Sequence, residues 1–174
     1  MALKVNKTVT GDEILTLEET KNWLKVTYTV DNDLITSLIT QSRELVENYI
    51  NQSLVLTTLE VWSSPRSILT LPYGPIISII SVTTTGGTAI DYEYDGFEII
   101  FEPNVWTPTT PEAPLYVNTI TTYTAGYTTI PAGLKMVLFE IISYIYENRG
   151  DSSGLNNLIY QNKFLQQYRN KIWI

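Results

Sequence analysis

Tyr123-Thr124-Ala125-Gly126-Tyr127, then Ile130-Pro131, then an apolar run closing on Tyr146-Glu147-Asn148-Arg149: this stretch decides the fold. β-branched and aromatic residues lead into Gly126, so a strand ends at a turn there. Pro131 suits a first helical residue, where its missing N–H is not needed. From Leu134 to Tyr146 the apolar residues Val137, Leu138, Phe139, Ile141, Ile142 and Ile145 make more than one stripe. A helix apolar on most faces is expected to be buried on most faces, in its own core or against other subunits. Lys135 and Glu140 interrupt it, which argues against a membrane span.

The flanks follow from this rod. Thr16-Leu17-Glu18-Glu19 has the spacing of a capping box, so a short helix is expected from about Leu17 to Lys25. The β-prone Val26-Thr27-Tyr28-Thr29-Val30 stops it. Asp31 or Asp33 caps a second helix. Its apolar positions Leu34, Ile35, Leu38, Ile39, Leu45, Val46, Tyr49 and Ile50 recur at helical spacing, with Arg43, Glu44 and Glu47 assigned to the other side. From Val55 to Ala125 the chain turns β-rich, with strands expected at 55–62, 67–71, 76–85, 88–94, 97–102 and 115–124. Gly86-Gly87 and Asp95-Gly96 are hairpin turns. The proline-rich 103–114, with Trp106, reads as an irregular loop. A last helix is expected from about Leu155 to Arg169, followed by the apolar terminus Ile172-Trp173-Ile174.

The predicted architecture is α+β. A small helical bundle from the two terminal segments carries an inserted antiparallel β module. Residues 1–15 form an arm, 16–52 the N-terminal helices, 55–125 the insertion and 131–174 the C-terminal helices and tail, all one domain. The helical ends must meet, because neither half buries its apolar face alone.

Composition excludes more than it proposes. The 174 residues include no Cys and no His, which removes disulfides, thiol nucleophiles, imidazole bases and the usual zinc ligands. A net charge of -7 does not suit a general nucleic-acid surface. No Lys or Arg lies between Arg66 and Lys135, where Asp91, Glu93, Asp95, Glu98, Glu102 and Glu112 all do. After Arg149 the sign reverses, with Lys163, Arg169 and Lys171 against Asp151 alone. This reads as a solvated acidic face or as two surfaces with different partners. Asp91, Glu93 and Asp95 alternate, so they share a strand face. They guard a hairpin edge against foreign strands more readily than they hold a cation. No nucleophile elbow, phosphate loop or metal motif occurs. No catalysis, cofactor or metal is expected. No signal-peptide core follows Met1, so synthesis in a cytoplasm is expected.

Five pieces, in order, resemble the head–tail connector (adaptor, or head-completion) family of tailed phages. They are Leu15 to Val26, Asp31 to Tyr49, Leu69-Thr70-Leu71-Pro72-Tyr73-Gly74-Pro75-Ile76 with Ser81-Val82, Tyr123 to Tyr127 with Pro131 and Tyr146-Glu147-Asn148-Arg149, and Leu165 to Arg169. Trp23 and the Ile172-Trp173-Ile174 extension depart from the family pattern. The resemblance implies a virion neck protein forming a ring, usually of twelve copies, below the portal. The ring would extend the DNA channel without gripping DNA. Its implied partners are itself, the portal and a stopper or other neck component; no membrane is involved. Portal contact is expected from Leu165, Tyr168, Arg169, Lys171 and Trp173. Ring contacts are expected from Arg43, Glu47, Tyr146 and Arg149. A channel or tail-facing role falls to Asp91, Glu93, Asp95 and Trp106. The rival reading is a glycan- or host-recognition β module of a tail, suggested by the Tyr, Trp and Thr content and by Trp106.

Overall fold

The computed structural model describes residues 3–64, 67–101, 118–149, 151 and 153–170. It is α+β and divides into two compact units, each with its own core. The proline-rich loop with Trp106, Gly150 and the terminal Lys171 to Ile174 lie outside the described residues.

The helical unit spans 11–55 and 127–170 among the described residues. Its helices are α1 (Leu17–Leu24), α2 (Asn32–Ile50), α3 (Ala132–Glu147), α4 (Ser153–Tyr160) and α5 (Lys163–Tyr168). The expected capping box opens α1. The Glu19 amide donates to Thr16 Oγ1 at 3.1 Å, and the Glu19 carboxylate accepts from the Thr16 amide at 3.3 Å. α2 ends at Asn51, in the left-handed region at φ 54°. The two terminal halves do meet: Ile35, Leu38, Ile39, Val46 and Ile50 of α2 share a core with Leu134, Val137, Leu138, Ile141 and Ile142 of α3.

Three local readings are corrected. Pro131 is the cap of α3 rather than its first residue, and its carbonyl accepts from the amides of Leu134 and Lys135. α3 buries one stripe, while its Ala132 and Met136 are exposed; its flanking positions are half-buried by neighbouring helices. Trp23 of α1 stacks on Phe139 at 4.9 Å and donates to Ser143 Oγ at 2.8 Å. Thus apolar content beyond the stripe serves helix–helix packing inside the unit. The expected single last helix is two. Asn162 breaks it and caps α5 by accepting from the amides of Phe164 and Leu165 at 3.0 and 3.2 Å, because a short amide side chain competes well for open helix-start donors.

The β unit spans 3–10 and 56–126 among the described residues. Its strands are β1 (Lys4–Val9), β2 (Thr57–Ser63), β3 (Ile68–Thr70), β4 (Ile76–Thr84), β5 (Tyr92–Tyr94), β6 (Glu98–Phe101) and β7 (Thr119–Ala125). One antiparallel sheet runs β1-β2-β7-β4; a second runs β3-β6-β5. Residues 4–9, read as part of an arm, form an edge strand with Lys4 opposite Trp62 and Val9 opposite Thr57. Leu59, Val61, Tyr123 and Ala125 of the first sheet share a core with Leu69, Ile99 and Phe101 of the second. Both hairpin turns form, with Gly87 at φ 87° and Gly96 at φ 97°.

The deciding stretch is anchored here. Gly126, at φ 139°, adopts a conformation that L side chains resist, and its amide donates to the Pro75 carbonyl at 2.9 Å. The Tyr123 side chain is fully buried, and its hydroxyl donates to the Pro72 carbonyl. Burial pushes that phenol far above the ordinary tyrosine range. The Leu71-to-Ile76 turn and the strand ending at Gly126 are therefore one joint.

Candidate assembly surfaces

Four polar groupings stand out, three in the helical unit and one in the β unit. The first is buried. Arg43 donates from Nε to Glu13 Oε2 at 2.9 Å, from Nη2 to Glu13 Oε1 at 3.2 Å and from Nη1 to Glu47 Oε2 at 3.0 Å. Glu47 Oε1 accepts from the Leu54 amide at 2.7 Å, and Glu13 also accepts from Thr40. Burial alone would pull the Arg43 guanidinium down. Its bonds to Glu13 and the charges of Glu47, Glu13 and Glu44 outweigh that and hold it up. Arg43 and Glu47 are 4% and 5% exposed, so assigning them to the outer side of α2, and to ring contacts, is corrected. They lie in line with Ile39 and Ile50, at steps of three and four, on the stripe that faces the core. That alignment was readable in advance. Glu13 was not: it sits in a stretch without periodicity.

The second grouping joins the α1–α2 loop to the end of α3. Tyr146 donates to Asp31 Oδ2 at 2.5 Å, and the Tyr28 hydroxyl lies 2.9 Å from that of Tyr146. Arg149 Nη2 is 3.7 Å from the same carboxylate oxygen and its guanidinium lies 5.2 Å from the Tyr146 ring centre. The bonds to Asp31 and then to Tyr28 hold the Tyr146 phenol up. Asp31 therefore gives its carboxylate to the two tyrosines and makes no side-chain cap on α2. Tyr146 and Arg149 remain partly or fully accessible at this rim.

The third is the closing segment. Leu165 is fully buried and Tyr168 packs against the same core. Gln52 Nε2 donates to the Tyr168 carbonyl at 2.6 Å, the Asn170 amide donates to the Ile50 carbonyl at 2.7 Å, and Asn51 Nδ2 reaches the Asn170 carbonyl at 3.2 Å. Tyr127 in turn donates to Gln52 Oε1. Leu165 is thus a core residue, which corrects its reading as a portal contact, whereas Tyr168 packs on that core and stays half-buried. Arg169 is exposed, with its guanidinium 5.2 Å from the Tyr49 ring centre; Tyr49 meets Tyr160 edge-on at 5.2 Å. Lys171 and Trp173 lie outside the described residues.

The fourth is the outer face of β3-β6-β5. Asp91, Glu93 and Asp95 are all exposed, while Tyr92 and Tyr94 turn inward, as alternation required. Asp95 Oδ1 accepts from the amides of Glu98 and Phe97 at 2.7 and 2.9 Å, and these bonds hold its carboxyl down. Trp106, assigned with these residues, lies outside the described residues.

Among the described residues no group of three or more His, Cys, Asp or Glu side chains could hold a metal, and no helix is long and apolar enough to cross a membrane.

The α+β chain thus has two cores, and polar clusters tie its elements together within the helical unit. The head completion protein family model matches residues 13–157, and the chain belongs to that family. Its fold is similar to a chain in the neck of an empty GTA particle computed with C6 symmetry, at TM-score 0.73 and 14% identity, covering 98% of this chain and 97% of that one. It is also similar, at TM-score 0.71 and 15% identity over the same shares, to chains in the virion of a native gene transfer agent (GTA) particle and in the neck of a native GTA particle computed with C12 symmetry. No curated protein matches it in sequence.

Proposed function

We propose that this chain is a structural head–tail connector of a tailed phage or phage-like particle. Copies of it, twelve in the particle, form a ring below the portal that extends the DNA channel and receives the next neck or tail component. The whole chain acts as one connector subunit and performs no catalysis. The observation that carries this reading is the family match over 13–157 together with a fold shared, end to end, with chains of GTA neck and virion structures.

The chemistry of the surface agrees. The second sheet, β3-β6-β5, lies in a stretch with no base between Arg66 and Lys135, so a wall built from that sheet repels phosphate and lets duplex slide. Lys171 and Trp173 are the portal-facing residues of the closing segment, joining a cation to an aromatic anchor suited to an acidic partner. Tyr146 and Arg149 stand at an accessible rim of the helical unit and serve contacts between copies.

The test is genetic and visual. With this gene deleted from the particle's genome, electron microscopy should show heads without tails, and the gene supplied in trans should restore tailed particles. Intact tailed particles formed in its absence would overturn the reading.

A further inference from the structure

The outer face of the three-stranded sheet is exposed among the described residues and has a definite chemistry. Ile68 and Ile100 stand opposite each other across β3 and β6, and Glu93 is opposite Ile100 across β5. The two isoleucines are 48% and 36% exposed, and Phe97, at the hairpin turn, is 51% exposed. Exposed Asp91 and Asp95 flank this row at the two ends of β5, which carries Glu93. Asp91 and Glu93 make no ion pair among the described residues. An apolar row edged by unpaired carboxylates asks for a partner that is apolar and basic.

The chain itself carries such a surface. On α4 and α5, Tyr160 and Phe164 are 62% and 56% exposed. Lys163 and Arg169 are exposed beside them, again without an ion pair among the described residues. Phe164 is fixed in place by packing on Gly133, where an added Cβ would lie 3.3 Å from its ring. Basic-aromatic on one unit and acidic-aliphatic on the other are complementary in charge.

We infer that the acidic outer face of β3-β6-β5 in one copy docks on the α4–α5 surface of the next copy. Because the two patches differ, the contact is heterologous. Repeated by rotation it closes a ring instead of ending at a dimer. Gathered on a platform, the copies need not each bury the roughly 1,200–2,000 Å² of a stable free-standing interface for the contact to hold. This inference rests on the ring reading and deepens it.

The chain has no cysteine, so an introduced cysteine pair is unambiguous. Particles are assembled with a chain carrying both Glu93→Cys and Lys163→Cys, then treated with a short bismaleimide. The expected result is a ladder of chain multiples on a denaturing gel. Each single variant should give no chain dimers. A ladder-free gel from particles that retain the chain overturns the inference, as does a dimer from either single variant, which would mean like patches meet. A cross-link from the Glu93→Cys thiol to a different virion protein also overturns it and gives the face to that protein. Particles that lack the chain speak instead against the connector reading. The charge exchange decides independently of the cross-link. Asp91→Lys with Glu93→Lys should abolish tailed particles, and Lys163→Glu with Arg169→Glu should do the same. The four changes together should restore them; if they do not, the pairing is wrong.

Discussion

Arg43, in the interior of the helical unit, holds the buried carboxylate of Glu47 and the part-exposed carboxylate of Glu13, and these in turn hold neighbouring segments in place. Glu13 fixes the segment that leads into α1, and Glu47 fixes Leu54 after α2. Removing the guanidinium leaves buried charge uncompensated. We therefore expect Arg43→Met to destabilise the helical unit by about 3–5 kcal/mol, read by urea unfolding followed through helical circular dichroism. A loss below about 1 kcal/mol would mean the network is solvated and of little weight. Glu19 makes a pH prediction. Its bond from Lys135, at 2.9 Å, and then its bond from the Thr16 amide hold its carboxyl down. A lowered folded-state value means the carboxylate stabilises above the ordinary glutamate range and stops doing so as pH falls through that lowered value. The melting difference between the native chain and Glu19→Gln should be largest near neutrality and shrink toward zero in acid.

At the scale of elements, the closing segment is the instructive case. α5 is six residues long, too short to persist unaided, and it stands because Asn162 starts it and Leu165 is driven into the core. Leu165→Ala should cost about 2–5 kcal/mol, and Asn162→Ala about 0.5–2 kcal/mol, in the same unfolding measurement. Deleting residues 165–174 would remove a core residue and the bonds from Gln52 to Tyr168 and from Asn170 to Ile50, and so would unsettle the fold along with any contact the tail makes. The portal contact is better tested beyond that stitching. With Lys171→Glu and Trp173→Ala together, we expect native-like circular dichroism but heads that fail to retain this chain. Normal retention would remove the portal assignment from the tail.

For the whole molecule, the sequence alone determined the helix–sheet–helix order and the type of most elements, β1 and the split of the last helix into α4 and α5 excepted. Hydrophobic periodicity, capping chemistry and glycine turns act within a few residues, so α1, α2, α3, both hairpin turns and the alternation of Tyr92 and Tyr94 against Asp91, Glu93 and Asp95 could all be read along the chain. So could the absence of imidazole and thiol chemistry. Tertiary structure alone decided which polar groups are interior and which edges are joined. Glu13 and Arg43 are thirty positions apart in sequence, and Asp31 meets Tyr146 at a separation of 115. Nothing local signals such pairs, because a charge on a helix looks the same until the chain that covers it is in place. The same holds for β1, whose six polar-leaning residues become a strand only because β2 offers an open edge. Local rules fix what each segment can be; the free energy of burying a charge or completing a ladder depends on what folds against it.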